Sequence, residues 1–409
     1  MRLQLARSLR AGRALRVIGV SLWLSFLNFS SSRAQAPESK PESEPEPPSG
    51  FSQPASGPSA PSAAGDAERG PPALRGSVDA RTGVYQDSDH TTISTTVVTG
   101  RATFRERGDI EARYLVDVVS SASIDVVTAA TSTFRDTRHE VSVGGGYHDG
   151  TSTLNAGYIF SRENDWQSHT ANLGMSRDFL QHNLTLGLGG SFGYNDVMRS
   201  GDRNFHRTLI TGGVAASAGF TPSPRDLVSL NYAVAFLSGY QASPYRYVIF
   251  TENGLRASQP ENTPDTRMRH ALTARWHRHV FRDSAIQLHG RVYADDWEVA
   301  SGTLGLDYQI GIGAFVVSPR VRLYAQRHAG FYRATYTQRL AIMTFDRELS
   351  SFFDVFFGGS AGWFRRHVGP LDELRVQLKV DGFYFRFFDF PRLEQRLGLV
   401  AELGIGVSI

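Results

Sequence analysis

The last fourteen residues of the chain alternate apolar side chains with small or polar ones. From Leu397 to Ile409 every second residue is apolar, and the positions between them are Gly, Glu or Ser except for Val400. A period of two predicts a β-strand with one apolar and one polar face. A bare apolar strand is an aggregation hazard in water, whereas in a closed membrane barrel it pairs with the first strand and faces lipid. We therefore expect Arg396–Ile409 to close a barrel against Gly76–Gln86.

The same alternation recurs in about sixteen segments between Gly76 and Ile409, and this stretch shows no convincing helical period. The clearest segment is 183–195, where Leu, Phe and Tyr alternate with Thr, Gly, Ser and Asn. This pattern predicts an all-β fold, a closed antiparallel transmembrane β-barrel of about 16 strands. Aromatic residues near the strand ends, such as Tyr85 and Trp276, would form girdles at the membrane interfaces. The alternative is a soluble β-sandwich array with the aromatic residues in its core.

The predicted connections differ in length in a regular way. When the connections between predicted strands are numbered from the N-terminus, every even-numbered connection is short. Every long connection has an odd number, although three odd-numbered connections are also short. The long ones are 120–138, 196–206, 240–266, 327–349 and 388–395. Short turns in the periplasm and long loops outside are typical of outer-membrane barrels. The parity predicts the outer membrane of a Gram-negative bacterium, with both termini in the periplasm.

The N-terminal part predicts export. Residues 1–36 begin with five Arg residues up to Arg16, followed by an apolar run from Val17 to Phe29 and by Ala34-Gln35-Ala36, as in a cleaved signal peptide. An uncleaved anchor is the alternative, although the apolar run is short for a membrane helix. Residues 37–72 are rich in Pro, Ser and Glu and predict a disordered tether. The domain prediction is therefore a signal peptide at 1–36, a disordered segment at 37–72 and a barrel at 73–409.

Net charge changes once the signal is set aside. The signal holds six of the 43 basic residues and no acid, so the remaining chain carries 37 basic and 40 acidic residues. The basic pI therefore belongs mostly to the signal, and nothing in the overall charge suggests nucleic acid as a partner. The absence of Cys fits a chain that crosses an oxidising compartment without a disulfide.

Alternation places many charged residues on the inward face of the predicted barrel. In hydrocarbon each would be costly, so they must face water or one another. Acidic residues concentrate in the first half and basic residues in the second, which would set a transverse field across a water-filled pore. An interior ion-pair network that stiffens the wall is the alternative. The predicted lumen residues are Asp79, Glu111, Arg113, Asp117, Glu140, Arg275, Arg291, Asp295, Arg320, Arg322, Asp354, Arg375, Lys379 and Asp381.

Two kinds of loop attract functional hypotheses. The segment from Ser120 to Phe134 is unusually apolar for a loop. We therefore expect it to fold into the barrel mouth and narrow it, with Asp125 near the passage, whereas an external extension of the strands is the alternative. Two other loops place Arg beside Tyr, a combination suited to sugars or anionic ligands, and ordinary loop packing is their alternative. The candidate ligand residues are Tyr245, Arg246, Tyr247, Tyr332 and Arg333.

The sequence shows only incomplete patterns for metal binding and for catalysis. His277 and His279 share one strand face but lack a visible third metal ligand. Acidic turns at Asp87–Asp89 and Asp295–Asp296 could hold Ca²⁺, yet turn chemistry explains them equally well. Alternation brings together no nucleophile, base and orienting group, so we expect neither an enzyme nor a cofactor.

Four segments resemble a bacterial family of outer-membrane β-barrels of unknown function: 117–123, 239–248, 293–297 and 346–350. The resemblance spans about Gly76 to Ile409 and implies a barrel, but no activity and no catalytic residue. It also implies exported thioredoxin-like and small lipoprotein partners, a hint of a periplasmic redox or assembly setting. The last strand is similar to the C-terminal signal read by the barrel-assembly machinery, although that signal usually ends in Phe and this chain has Ile409.

Three functions are thus weighed. A pore or passive transporter for small polar solutes is favoured by the charged lumen. A closed barrel that serves as an interaction scaffold for exported, redox-linked partners is the alternative. An outer-membrane enzyme is the least favoured. In each case the outer-membrane lipid contacts the apolar face of the strands.

Overall fold

The computed structural model describes residues 74–105, 107–121, 134–281 and 283–409. The predicted signal peptide, the Pro-rich segment and the predicted constriction loop, with Asp125 and the Phe134 side chain, lie outside the residues or side chains described. Among the described residues, none belongs to a helix with the length and apolar character needed to cross a membrane.

Sixteen antiparallel strands close into one barrel, as the alternation predicted. Each strand is 11 to 22 residues long. In chain order they are β1 (Leu74–Asp87), β2 (Thr91–Phe104), β3 (Gly108–Ser121), β4 (Phe134–His148), β5 (Ser152–Arg162), β6 (Trp166–Phe179), β7 (Leu184–Arg199), β8 (Asp202–Ser223), β9 (Asp226–Gly239), β12 (Thr266–Phe281), β13 (Ser284–Asp295), β14 (Ala300–Ile312), β15 (Phe315–Arg327), β16 (Phe352–Val368), β17 (Leu371–Phe387) and β18 (Gln395–Ser408).

Two further strands lie outside the barrel. Strands β10 (Tyr247–Glu252) and β11 (Leu255–Pro260) form a separate hairpin within the connection that the sequence predicted as one loop. A short 3-10 helix at Arg347–Leu349 interrupts the β15–β16 connection, with the Asp346 side chain accepting the backbone N–H of Glu348 at its start. Neither element has an alternation long enough to be predicted from sequence.

The barrel closes between its first and last strands. Strand β1 pairs with β18 in antiparallel register from Ser77 opposite Ser408 to Asp87 opposite Gly398. This pairing confirms the predicted seam. It also leaves no edge strand in the barrel, which satisfies the backbone hydrogen bonds that a bilayer could not.

The two faces of the wall differ as alternation requires. On β18, Leu397, Leu399, Leu403 and Ile405 are 45–54% exposed, whereas Arg396, immediately before Leu397, points inward and is buried. Each of the sixteen barrel strands exposes at least one large apolar side chain on the outer face. An apolar surface that encircles the molecule is foreign to soluble monomers and is the surface that lipid solvates.

The two ends of the barrel carry different connections. At one end the described turns are very short: 149–151, 180–183, 224–225, 313–314 and 369–370. At the other end lie 240–265, 328–351 and 388–394; we call these the short-turn end and the long-loop end. The predicted long loop at 196–206 is wrong, because β7 and β8 continue outward and meet at Ser200 and Gly201.

Candidate functional site

The barrel interior has two unlike walls. Strands β5 to β9 turn small or neutral polar residues inward, for example Asn155, Thr170, Gly187 and Ser217. Strands β15 to β18 and β1 turn charged and aromatic residues inward. In a closed ring of sixteen strands, positions eight strands apart are opposite, so β5 to β9 face β15 to β18 and β1. Small residues therefore leave room for the long side chains across the lumen.

On the inner face of β2 to β4, ion pairs run from strand to strand. Arg113 of β3 donates to Glu140 of β4 at 2.7 Å, and Arg101 of β2 donates through Nε to Glu111 of β3 at 3.0 Å. Arg138 also bonds to Glu140 and lies 3.9 Å from Asp117. The predicted acidic half is thus interleaved with basic residues.

The second half is paired in the same way. Arg320 of β15 donates through Nε to Asp381 of β17 at 2.8 Å, and Lys379 lies 3.8 Å from the same carboxylate. Arg322 lies 3.4 Å from Asp354. These contacts hold β15, β16 and β17 together across the inner face.

One ion pair spans the barrel seam. Arg375 of β17 reaches past β18 to Asp79 of β1, with 3.5 Å between Nη2 and Oδ1. It therefore links the predicted basic half to the predicted acidic half through direct contact rather than across a gap.

The remaining predicted lumen residues lie on β12 and β13. Arg275 and Arg291 sit on the inward faces of these neighbouring strands, together with His277 and His289. Asp295 lies at the long-loop end of β13, where it accepts Arg267 Nε at 2.8 Å and the Tyr293 hydroxyl at 2.7 Å. The described pairs mix both signs around the wall, so they fit the ion-pair network that was the alternative to separate acidic and basic walls.

Burial changes along the lumen axis. Near the short-turn end, the side chains of Asp79 and Glu111 are 22% and 27% exposed. Near the long-loop end, those of Asp117 and Asp354 are 3% and 2% exposed. The interior is therefore accessible toward the short turns and packed toward the long loops.

An aromatic cluster fills part of the packed end. The cluster comprises Tyr85, Ile93, Val119, Tyr324, Phe352, Phe383, Phe385, Phe387 and Phe390. Tyr85 stacks on Phe383 with 5.3 Å between ring centroids, so this residue lies inside the barrel and not in an outer aromatic girdle. Arg396 is fully buried among these rings, 4.4 Å above Phe385.

The β15–β16 connection folds onto this cluster. Arg347 of the 3-10 helix donates to Asp89 of the β1–β2 turn at 2.5 Å, and both side chains are at most 3% exposed. Arg246, just before β10, lies 3.0 Å from Glu261 after β11 and 3.3 Å from Asp346. We call residues 328–351 and the β10–β11 hairpin the mouth cap, because buried ion pairs bind them together and to the barrel.

Apolar packing completes the mouth cap. Val248 and Phe250 of β10 pack with Tyr336, Met343 and Phe345 of the β15–β16 connection. The Tyr336 hydroxyl donates to Thr344 O at 3.2 Å. Two long loops that are far apart in sequence therefore act as one layer at the mouth.

The predicted loop ligand residues are mostly engaged within this layer. Arg246 is buried in its ion pairs, Tyr332 is 2% exposed and donates to Asp389 O at 3.1 Å, and Arg333 donates to Gly330 O at 2.8 Å. Tyr245 accepts the backbone N–H of Ser200 at 2.7 Å, and Tyr247 is 45% exposed. These contacts are the ordinary loop packing that was their alternative interpretation.

A cluster of buried carboxylates at the same end was not predicted. Asp136 at the start of β4 meets Glu163 and Asp165 of the β5–β6 turn, with one oxygen from each within 4.8 Å of the others; we call these three the carboxylate triad. Burial raises the pKa of Asp165 to about 6, the other two carboxylates add to the rise, and the nearby Tyr245 hydroxyl opposes it. The Glu163-Asn164-Asp165 turn was visible in sequence, but its meeting with Asp136 depends on register.

The acids that sequence had suggested for Ca²⁺ are used differently. Asp87 accepts the Tyr85 hydroxyl at 2.7 Å and the backbone N–H of Thr91 at 2.9 Å. Asp295 accepts the backbone N–H groups of Trp297 and Val299 as well as Arg267. Protein donors thus fill both turns. Among the described residues, the carboxylate triad is the one group of three His or acidic ligands that meets at a point, and neither His277 nor His279 belongs to it.

Among the solved structures that this chain resembles in fold are three with large shared coverage. A bacterial polysaccharide outer membrane secretin is 9% identical, with 82% of this chain and 98% of that one covered and a TM-score of 0.46. OccK2 (OpdF) of Pseudomonas aeruginosa in complex with glucuronate is 10% identical, with coverage of 82% and 98% and a TM-score of 0.43. CdiB from Acinetobacter baumannii is 8% identical, with coverage of 82% and 60% and a TM-score of 0.44. Similarity at this level bears on neither solute nor mechanism.

No curated protein is significantly similar in sequence. A family model does match, over residues 126–224 and 222–355, which is more than half of the chain. Its description is "Protein of unknown function (DUF3570)". The four segments that resemble a known family have described residues near the long-loop end of the barrel. These residues lie in β3, just before β10, just after β13 and at the 3-10 helix. With a closed sixteen-stranded barrel and an apolar outer face, the chain belongs to the DUF3570 family, an uncharacterised family of outer-membrane β-barrels.

Proposed function

We propose that this protein is an outer-membrane pore or passive transporter for small polar solutes. The observation that carries the proposal is a charged wall opposite a wall of small residues inside a barrel with an apolar exterior. A charged side chain facing the bilayer midplane costs about 2–4 kcal/mol, so inward charges of this number call for water in the lumen. A barrel of sixteen strands is wide enough to hold that water.

The pattern of connections supports an orientation. In outer-membrane barrels the short turns lie in the periplasm and the long loops lie on the outer face of the cell. On this basis both termini lie in the periplasm, and the mouth cap faces the outside of a Gram-negative cell. The accessible part of the lumen then opens toward the periplasm, and the packed part lies at the outer mouth.

The pairing of charges suggests which solutes pass. Acidic and basic side chains alternate along the wall at ion-pair distances, so neither sign dominates the lumen. We expect weak discrimination between anions and cations and passage of small, neutral or zwitterionic polar solutes. The packed mouth sets a low size limit.

A liposome-swelling assay tests this proposal. Purified protein is reconstituted, and the swelling rate is measured in a size series of neutral sugars and zwitterionic amino acids. We expect swelling with the smallest solutes and a steep decline with solute size. Liposomes with fully inserted, heat-modifiable protein that swell no faster than empty liposomes would contradict a pore.

The packed mouth favours one second candidate, an interaction scaffold for exported, redox-linked partners. On the β10–β11 hairpin of the mouth cap, Tyr247 and Leu255 are 45% and 74% exposed, which gives a partner an apolar contact. An inserted barrel without solute flux that retains an exported protein would support this function instead. Contact of β18 with the barrel-assembly machinery stays a prediction under either function.

A further inference from the structure

We propose that the carboxylate triad is a Ca²⁺ site at the long-loop end of the barrel. Asp136 comes from the start of β4, Glu163 and Asp165 come from the turn between β5 and β6, and one oxygen of each lies within 4.8 Å of the others. All three residues are buried. The site is independent of whether the barrel conducts.

A second observation points to a missing cation. Asp165 is 3% exposed, yet neither of its carboxylate oxygens accepts a hydrogen bond. The Tyr245 hydroxyl is nearby and accepts the Ser200 N–H, and it forms no hydrogen bond of normal geometry with Asp165. An ionised carboxylate that is buried without donors is strongly destabilised. A bound cation would supply the missing contacts.

Two other acidic turns at the long-loop end differ from the β5–β6 turn. Asp87 and Asp295 are also buried or nearly so, but each accepts two or more hydrogen bonds from protein donors. Asp165 alone among these three turn acids lacks them. The β5–β6 turn is therefore not stabilised by the turn chemistry that accounts for the other two.

The chemistry of the ligands selects a hard divalent cation. Three carboxylates and no sulfur or imidazole favour Ca²⁺ or Mg²⁺ over zinc or copper. Ca²⁺ accepts six to eight oxygen ligands in flexible geometry, whereas Mg²⁺ requires a near-ideal octahedron. Three carboxylates supplied by one strand and a neighbouring turn, with no octahedral frame, suit the more tolerant ion.

Neighbouring side chains orient two members of the triad. Arg138 Nε is 3.9 Å from Glu163, but this guanidinium also bonds to Glu140 and approaches Asp117. Asn164 donates to Asp136 at 2.7 Å and so fixes the orientation of that carboxylate. The positive charge of Arg138 is thus shared among three acids.

The test is Ca²⁺ binding to the full-length folded protein, refolded in detergent so that no lipopolysaccharide phosphates are present. Isothermal titration calorimetry with CaCl₂ is compared for the native protein, Asp165→Asn, Glu163→Gln and the matched control Glu298→Gln. Glu298 is an exposed acid at the same end, paired with Arg327 at 3.0 Å. We expect Ca²⁺ affinity to fall by at least about tenfold in the two triad variants, since it follows the number of charged ligands, and to be unchanged in the control.

A second readout separates a lost site from a misfolded protein. The thermal midpoint of heat-modifiable migration is measured in EDTA and in Ca²⁺. We expect Ca²⁺ to raise the midpoint of the native protein but not that of Asp165→Asn, and Asp165→Asn to be at least as stable as the native protein in EDTA. The reason is that the substitution removes a buried charge without partners.

Two results would overturn the site. One is a native protein whose calorimetry and thermal midpoint do not respond to millimolar CaCl₂. The other is Asp165→Asn and Glu163→Gln binding Ca²⁺ as tightly as the control, which would place the ion elsewhere. Tighter binding of MgCl₂ than of CaCl₂ would contradict the choice of ion, because that assignment rests on the flexible coordination of Ca²⁺.

Discussion

A buried ion pair joins the mouth cap to the barrel, and Asp89→Asn tests how far the cap depends on it. Arg347 and Asp89 are 2.5 Å apart and almost completely buried, and they join the 3-10 helix of the cap to the β1–β2 turn of the barrel. The substitution keeps the shape of the side chain but removes the negative charge that the Arg347 guanidinium contacts there. The barrel wall itself keeps all of its strand pairs.

The expected magnitude follows from the geometry. Removing one partner of a buried ion pair typically costs 3–5 kcal/mol. Glu348 still lies 3.4 Å from Arg347, so the lower end applies here. A loss of about 3 kcal/mol raises the population of cap-open molecules about a hundredfold, at 1.36 kcal/mol per factor of ten.

Native-state trypsin cleavage measures that population. Cleavage after Arg347 requires the cap to open, because the side chain is 2% exposed. When opening is fast compared with cleavage, the rate follows the fraction of open molecules. We expect Asp89→Asn to be cut after Arg347 about a hundred times faster than the native protein, while the barrel still migrates as a folded species.

The control is Glu298→Gln, which breaks an exposed ion pair with Arg327 where the cap begins. Exposed pairs contribute about 0–1 kcal/mol, so its cleavage rate should rise by no more than about fivefold. If Asp89→Asn is cut after Arg347 no faster than this control, the cap is not held by the buried pair. Our reasoning about the mouth would then be refuted.

Three further predictions follow from the wall. Leu403→Arg places a charge on the outer face near the middle of β18, so the free energy of unfolding in liposomes, measured with urea, should fall by about 2–4 kcal/mol. The inward substitution Glu402→Gln should change it little, and equal effects of the two would contradict the assigned faces. Asp381→Asn removes the carboxylate that Arg320 and Lys379 share, so the reversal potential in a KCl gradient should shift in the direction of greater anion selectivity. An unchanged reversal potential would mean that this carboxylate does not face the passage. Deletion of 396–409 should abolish heat-modifiable migration, and a truncated protein that still folds in the outer membrane would contradict the seam.

The wall was predictable because each barrel strand obeys one local rule. Alternation at 183–195 and in the last strand specifies both the element and the face of each side chain. Short turns such as Gly313–Ala314 then fix the neighbour of each strand. The closing pair between β1 and β18 followed because an open edge is excluded in lipid.

The mouth was not predictable from such rules. The β10–β11 hairpin is short, and its partner residues in 328–345 lie about 80 residues away along the chain. Tyr85 follows the same alternation as its strand, but only the tertiary structure shows that Phe383 stacks on it. The carboxylate triad likewise needs the β4–β5 register, which brings residue 136 to the β5–β6 turn.

The inward charges follow the alternation of the strands but pair differently from the predicted pattern. Counting acids in one half and bases in the other overlooked the interleaved partners Arg101 and Arg138 on β2 and β4. An inward charge gains most from an opposite charge on the adjacent strand, at 3–4 Å, and little from one across a lumen filled with water. The pairing is therefore local, and it depends on register.

Single-channel conductance in planar bilayers tests the central proposal most directly. We predict that the purified native protein gives small, steady, ohmic steps with weak ion selectivity. Replacing 331–345 of the mouth cap with a short Gly-Ser linker should raise the step size, because that segment lies at the packed end of the lumen. Native protein that inserts and migrates as a folded barrel but stays silent would contradict the pore.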